Sequence, residues 1–422
     1  MQQGDTIWEI SKKFGVSPKR IIADNGLAYP NRIAVGQALL ILFPDQIYTI
    51  KAGDNLLTIA EKYNTTVNSL IRNNPELILN PVLNIGQTIT INFKNNKEGS
   101  IVTNGYAYPF INWRVLMRTL PYLTKLTIFG YGFTENGDLI NIDDEPLIRM
   151  AYQFNVAPIM LLSSLTEEGN FSGIRAKYLF NNINAQNALI KKIINTMKYK
   201  GYLGIDIDFE YINPQDAQAY LDFLTNITEQ MKNEGFSVNV DLAPKTSSTQ
   251  RGLLYEAHDY PKIGEIADTV LLMTYEWGYT FGPPMAVSPL NQVRKVIEYA
   301  VTEIPSNKIL MGIPVYGYNW LLPYIQGVSQ ATSIGNDFAA TIAFNNKAVI
   351  KYDDTAQSPY FNYWDRQGRE HVVWFEDVRS VKAKLDLLKE NNLLGAGYWS
   401  IMRPFIPNWT LTNAMFNIKK II

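Results

Sequence analysis

From Ile101 onward, short apolar runs rich in β-branched and aromatic residues alternate with longer stretches whose apolar positions recur at helical spacing. Eight such runs stand out: Ile101–Tyr108, Leu126–Tyr131, Val156–Leu162, Gly204–Phe209, Ser237–Leu242, Thr269–Met273, Ile309–Tyr316 and Gly395–Trp399. Strands alternating with helices predict a parallel sheet, and a count of eight favours closure, so the expected fold is α/β, a (β/α)8 TIM barrel. The stretch between the seventh and eighth runs is far longer than one strand–helix unit needs. Its excess, about residues 320–378, predicts a small inserted α+β subdomain in which Tyr360–Gly368 reads as hairpin.

The N-terminal part follows a different pattern, and it repeats. Gly4-Asp5-Thr6-Ile7-Trp8-Glu9-Ile10 aligns with Gly53-Asp54-Asn55-Leu56-Leu57-Thr58-Ile59, Asp24-Asn25 with Asn73-Asn74, and Gly36-Gln37 with Gly86-Gln87. Each copy reads as a strand, a Gly-Asp turn, two helices and a closing strand such as Gln87–Ile91, a βααβ unit. Only Met1–Gln3 precede the first Gly-Asp turn, so that opening strand is short. The two copies, 1–44 and 46–93, resemble LysM modules, which bind glycans containing N-acetylglucosamine. The resemblance implies glycan contact at Asp5, Thr6, Asp54, Asn55 and Leu56. An Asp or Asn ahead of a helix also caps its first turn, which accounts for one copy but not for the matched Gly-Gln of both. Residues 94–100 read as a polar linker to a domain spanning 101–422.

Composition narrows the chemistry. With 38 basic and 39 acidic side chains in 422 residues, no electrostatic ground exists for nucleic acid as the main partner. The absence of cysteine excludes disulfides and thiol catalysis, and two widely separated histidines, His258 and His371, argue against a catalytic metal. No cofactor and no metal are expected. No apolar run approaches the roughly 20 residues that cross a bilayer, and Met1–Asp5 shows no signal-peptide pattern. Membrane insertion is therefore not expected, and a monomer is.

Gly204-Ile205-Asp206-Ile207-Asp208-Phe209-Glu210 carries the candidate chemistry. On a strand, Asp206, Asp208 and Glu210 share one face while Ile205, Ile207 and Phe209 share the other. The apolar set packs under helices, so the acids face the barrel interior, with Glu210 last, at the rim where barrel active sites lie. Like charges so placed raise one another's pKa, and a carboxyl that stays protonated is what a general acid requires.

This strand resembles the Asp-Gly-x-Asp-x-Asp-x-Glu motif of glycoside hydrolase family 18, with Leu203 in place of the first Asp. Met273-Thr274-Tyr275-Glu276 is similar to the family's Met-x-Tyr-Asp, Gly312–Gly317 to its seventh strand, and Gly397-Tyr398-Trp399 to its eighth. The resemblance implies substrate-assisted retaining hydrolysis, an exception to the two-carboxylate scheme. Glu210 would be the acid, Asp208 would orient the substrate's acetamido group with Asp206 behind it, and Tyr275 would hydrogen-bond the attacking carbonyl. Trp399 would floor the sugar site, with Met273 beside it on the sixth strand. Trp277, Tyr316 and Trp320, and more weakly Tyr106 and Tyr131, are candidate subsite walls; ordinary core packing is the alternative for all of these rings.

Two LysM-like modules ahead of such a barrel resemble the spore cortex-lytic N-acetylglucosaminidases of Gram-positive spore formers. That implies peptidoglycan as partner and a spore or cell-wall location. The motifs leave chitinase open, and also a non-hydrolytic, lectin-like or spore-coat role.

Overall fold

A computed structural model describes residues 1–422 apart from 95, 96, 135, 167, 169 and 170. Two positions of the expected linker, 95 and 96, thus lie outside the described residues.

Eight parallel strands close into a ring: Ser100–Ala107, Lys125–Phe133, Ala157–Ser163, Gly204–Asp208, Ser237–Leu242, Thr269–Leu272, Ile309–Pro314 and Gly395–Trp399, the first pairing with both the second and the eighth. We number them barrel strands one to eight. Their alternation divides the core in two. Ile205, Ile207 and Phe209 point outward and pack with the surrounding helices, in company with Val238, Val240, Leu272 and Ile313. Val102, Tyr106, Phe129, Leu161, Leu271 and Leu310 fill the interior. Strand eight passes close to this filling. A Cβ at Gly397 would lie 2.4 Å from Leu271 Cδ1, so glycine is what lets the interior rings fit.

Between strands seven and eight stands the insertion, a five-stranded antiparallel sheet with the helix Asn336–Asn345. It begins at Gly317, and Ser358–Trp364 and Glu370–Trp374 form the expected hairpin.

The second N-terminal copy has the βααβ form: Pro44–Thr49 pairs antiparallel with Thr88–Phe93 over the helices Leu56–Lys62 and Val67–Asn73. The first copy keeps its helices, Ile7–Phe14 and Pro18–Asn25, but has no strand, contrary to expectation. What survives is a single rung, in which Gly36 N donates to Met1 O (2.9 Å) and the Met1 amine to Gln37 O (3.0 Å).

Neither copy dangles from its linker. Both dock on the helix Ile406–Met415, which follows strand eight: Thr410 Oγ1 donates to Asp24 O (2.7 Å), Asn413 Nδ2 to Asn73 Oδ1 (2.9 Å) and Arg72 Nε to Asn413 Oδ1 (3.1 Å). Buried Arg20 grips Asp24 and donates to Asn73 O (2.6 Å), tying the copies to each other. On the insertion side Ile350 N donates to Val35 O (2.9 Å). Removing one partner of a buried ion pair strands the other charge. Arg20→Ala is therefore expected to lower the unfolding free energy by about 3–5 kcal/mol. The check is a denaturant melt followed by Trp8 fluorescence and circular dichroism.

Candidate active site

The inward residues of strands four and five meet at the C-terminal end of the barrel. Register places Asp206 beside Asn239, whose amide donates both to Asp206 Oδ1 (2.7 Å) and to Asp241 Oδ1 (3.0 Å). From strand one the Tyr106 hydroxyl reaches Asp206 Oδ2 (2.8 Å) and Asp241 Oδ1 (3.0 Å). Two donors thus bridge two buried acids. Burial raises Asp206 above the usual carboxylate range, and the bonds from Asn239 and Tyr106 oppose it. Burial, then the charges of Asp206 and Asp208, push Asp241 well up.

Asp208 sits one step nearer the rim. Burial lifts its carboxyl well above the ordinary range, helped by Glu210 and then Asp206. Its Oδ1 is buried without a hydrogen-bond partner among the described residues. Glu210, half-buried just beyond the strand, is raised first by burial and then by Glu276 on the loop after strand six. The expected mutual raising by like charges holds at Asp208, where Glu210 and Asp206 both contribute. Desolvation leads for all three acids, and the neighbour that matters for Glu210 lies outside its own strand, on the loop after strand six.

His258 holds the start of the Glu210 turn. Its Nδ1 accepts from Ala243 N (2.8 Å), so the proton sits on Nε2, which faces Phe209 O at 3.2 Å. The ring thereby links the ends of strands four and five, and burial depresses its pKa to about 4.

Tyr275 joins the acids. Burial, followed by Asp241, Asp208, Glu210 and Glu276, pushes its phenol well up, keeping it a neutral donor. Trp399 closes the barrel mouth, its ring centroid 5.4 Å from Phe129 and 6.0 Å from Tyr106, and Met273 packs in the same interior cluster. Above it opens a cleft of about 800 Å³ including its mouth, walled by Tyr108, Phe110, Tyr316, Tyr318 and Met402, with Glu276, Ser333 and Arg403 among its polar groups. Glu276 accepts from the hydroxyls of Tyr316 and Tyr318.

Residues 103–403 match the family described as Glycosyl hydrolases family 18, and residues 2–41 and 48–92 match the LysM domain. The chain belongs to glycoside hydrolase family 18. This family 18 enzyme is 40% identical over 429 residues to the cortical fragment-lytic enzyme of Bacillus subtilis (strain 168), covering 89% of this chain and 99% of that one. It is 36% identical to the cortical fragment-lytic enzyme of Bacillus anthracis, covering 100% and 98%. Among solved structures, the spore cortex-lytic enzyme SleL of Bacillus megaterium QM B1551 superposes with a TM-score of 0.85 at 38% identity, covering 100% of this chain and 98% of that one. A chitinase from Chromobacterium violaceum, at 22% identity and a TM-score of 0.69, shares the barrel fold over 74% of this chain.

Several expected wall residues lie elsewhere. Tyr131 faces outward, fully buried under the helices, with its hydroxyl on Asp144. A register shift between Ile128 and Tyr131, where Gly130 takes a φ of +137°, reverses the side on which the strand presents its rings. Trp320 is 0% exposed and donates from Nε1 to Gly282 O (2.9 Å), so it is core of the insertion. Tyr106 lies beneath the cleft as a donor to the acids. Trp277 is half-buried against the outer core and lines no part of the cleft described above. Tyr316 does line it. Asp241, Asn239, His258, Tyr318 and Arg403 escaped the sequence reading; the polar–apolar alternation of Val238-Asn239-Val240-Asp241 was the available signal for two of them.

In the LysM modules the expected residues build turns and caps. Asp5 accepts from Gln2 N (2.6 Å), and Thr6 and Glu9 cap each other reciprocally. Asp54 accepts from Lys51 N (2.7 Å) and Tyr48 Oη (2.8 Å), Asn55 caps Leu57 and Thr58, and Leu56 packs against the second module's core.

His258 supplies a pH test. Its folded value of about 4 lies below the ordinary 6.5, so the unfolded chain takes up the proton first as pH falls. The stabilisation is complete above pH 6.5 and is lost as pH drops toward 4, by about 3 kcal/mol. In His258→Gln, which cannot titrate, unfolding midpoints measured across that window are expected to show a shallower decline than in wild type.

Proposed function

We propose that this chain hydrolyses spore-cortex peptidoglycan as an N-acetylglucosaminidase, by substrate-assisted retention with Glu210 as acid and base. The observation that carries the reading is the inward column Asp206, Asp208 and Glu210, with Tyr275 alongside and with Glu276, which lines the aromatic cleft, acting on Glu210. The cortical fragment-lytic relatives and SleL, similar over nearly the whole chain, support the substrate class and a spore-associated location. Among the described residues no helix is long and apolar enough to cross a membrane. The enzyme would work as a monomer on the glycan its LysM modules hold.

On this reading Glu210, its pKa raised by burial and then by Glu276, gives its proton to the glycosidic oxygen as the bond to C1 breaks. The 2-acetamido carbonyl oxygen of the same sugar attacks C1 and forms an oxazolinium. The unpartnered Oδ1 of Asp208 is free to take the acetamido N–H, and Tyr275 to donate to the acetamido oxygen. Trp399 supplies a flat apolar floor. Glu210, now ionised, draws a proton from water as the water attacks C1, opening the ring with the original configuration restored. Asp206 lies behind Asp208, bridged to Asp241, and its charge adds to the raising of Asp208.

Two measurements test this. Glu210→Gln is expected to cut turnover by about 10²- to 10⁴-fold while its thermal midpoint stays at or above that of wild type, since an acid held against burial is removed. Wild-type digestion of cortex, or of its muramidase fragments, is expected to release products with N-acetylglucosamine at the reducing end. Reducing-end muramic acid would refute the assignment of the bond.

A further inference from the structure

A second cavity, of about 850 Å³ including its mouth, lies between the first LysM module and the insertion, and it shares no lining residue with the catalytic cleft. From the module, the segment after the helix Pro18–Asn25 brings Tyr29, Arg32 and Gln37; from the insertion, the first turn of Asn336–Asn345 brings Asn336 and Asp337. Phe405, just ahead of the docking helix, adds apolar surface. Asp5 and Thr6, spent on a turn and a cap, do not line it. The cavity is also near the chemistry. Ser333 lines the cleft and Asn336 the cavity, and three residues of chain span at most about 11 Å.

Polar groups on its walls are left without partners. Asn336 is 2% exposed; its Oδ1 accepts from Glu376 N (2.9 Å), while its Nδ2 is buried with no hydrogen-bond partner among the described residues. A buried donor without an acceptor is costly, so such a group on a cavity wall marks where a ligand's oxygen fits. Among the described residues the Asp337 carboxyl has neither a hydrogen bond nor an ion pair, and the Arg32 guanidinium has none either. Arg32 lies instead over the Tyr29 ring, 5.0 Å from its centroid, and Tyr29 is still 65% exposed. An occupant therefore needs an amide oxygen for Asn336, hydroxyls for Asp337 and an apolar C–H face for the Tyr29 ring. With one unpaired cation on the module's wall and one unpaired acid on the insertion's, neither sign of charge is preferred. An N-acetylhexosamine carries all three groups and no charge. We propose that the cavity binds one such unit of a glycan, the module supplying one wall and the insertion the other, so that the first module captures glycan only as docked. Cortex and chitin both contain this sugar, so the inference holds whichever bond the cleft cuts.

The test follows amide hydrogen exchange in full-length Glu210→Gln, which keeps its probe uncut, during titration with chitohexaose. Segments 26–39 and 335–341 are expected to gain protection together, at one sugar concentration. Tyr29→Ala and Asp337→Ala, each added singly to that background at an exposed position, are expected to raise the concentration needed at both segments by roughly tenfold. The decisive readout crosses the cavity: Asp337→Ala must weaken protection of 26–39, and Tyr29→Ala that of 335–341. Sugar-free exchange matching the parent at both segments shows that the module is still docked. Protection of 26–39 that Asp337→Ala leaves unmoved would mean that the module binds alone, and protection of 335–341 that Tyr29→Ala leaves unmoved would mean sugar in the cleft; either overturns the proposal. So does a parent in which chitohexaose protects one segment or neither, a result that needs no variant to fold.

Discussion

An acid in the dry interior of a barrel is tolerated only where donors meet it or where it keeps its proton. Here Tyr106 and Asn239 each span Asp206 and Asp241, and much of the architecture serves that contact. The pairing of strands four and five must bring Asp206 level with Asn239. Strand eight must be glycine at 397 so that the interior rings, Tyr106 among them, fit beneath Trp399. His258 then fixes the backbone where strand four ends, so that Glu210 emerges at the rim in a set position. Each element is ordinary barrel construction; together they hold the acids at graded depth, the deepest fully satisfied and the outermost open to a ligand.

How much of this is written in the sequence depends on the range over which each signal acts. Strands and their inward faces are local, because alternation is set by the strand itself, and all eight fall where the apolar runs predict. The acid column is legible for the same reason. What fails is whatever depends on a break in alternation or on a neighbouring strand. Tyr131 misleads because one irregular step at Gly130 reverses parity within its own strand. Asp241 and Glu276 are missed as partners because their effect on Asp206 and Glu210 crosses between strands. Trp320 looks like a sugar platform until the loop that contains Gly282 is seen to cover it.

The N-terminal modules show the same limit. Their repeat is plain, yet nothing local announces that Asp24, Asn73 and Arg72 face a helix more than three hundred residues away. A polar linker alone would give a tether, and binding would then raise the concentration of any nearby glycan segment.

Docking changes the kind of assistance those modules give. Gly36 illustrates how close the fit is: a Cβ there would come within 1.9 Å of Ile350 O in the insertion. Modules seated in this way hold a captured strand at a fixed span from the cutting point, as a jig holds stock before a blade. Oligosaccharides too short to bridge that span draw no help from the anchor, so the enzyme's advantage should grow in a step with chain length rather than smoothly.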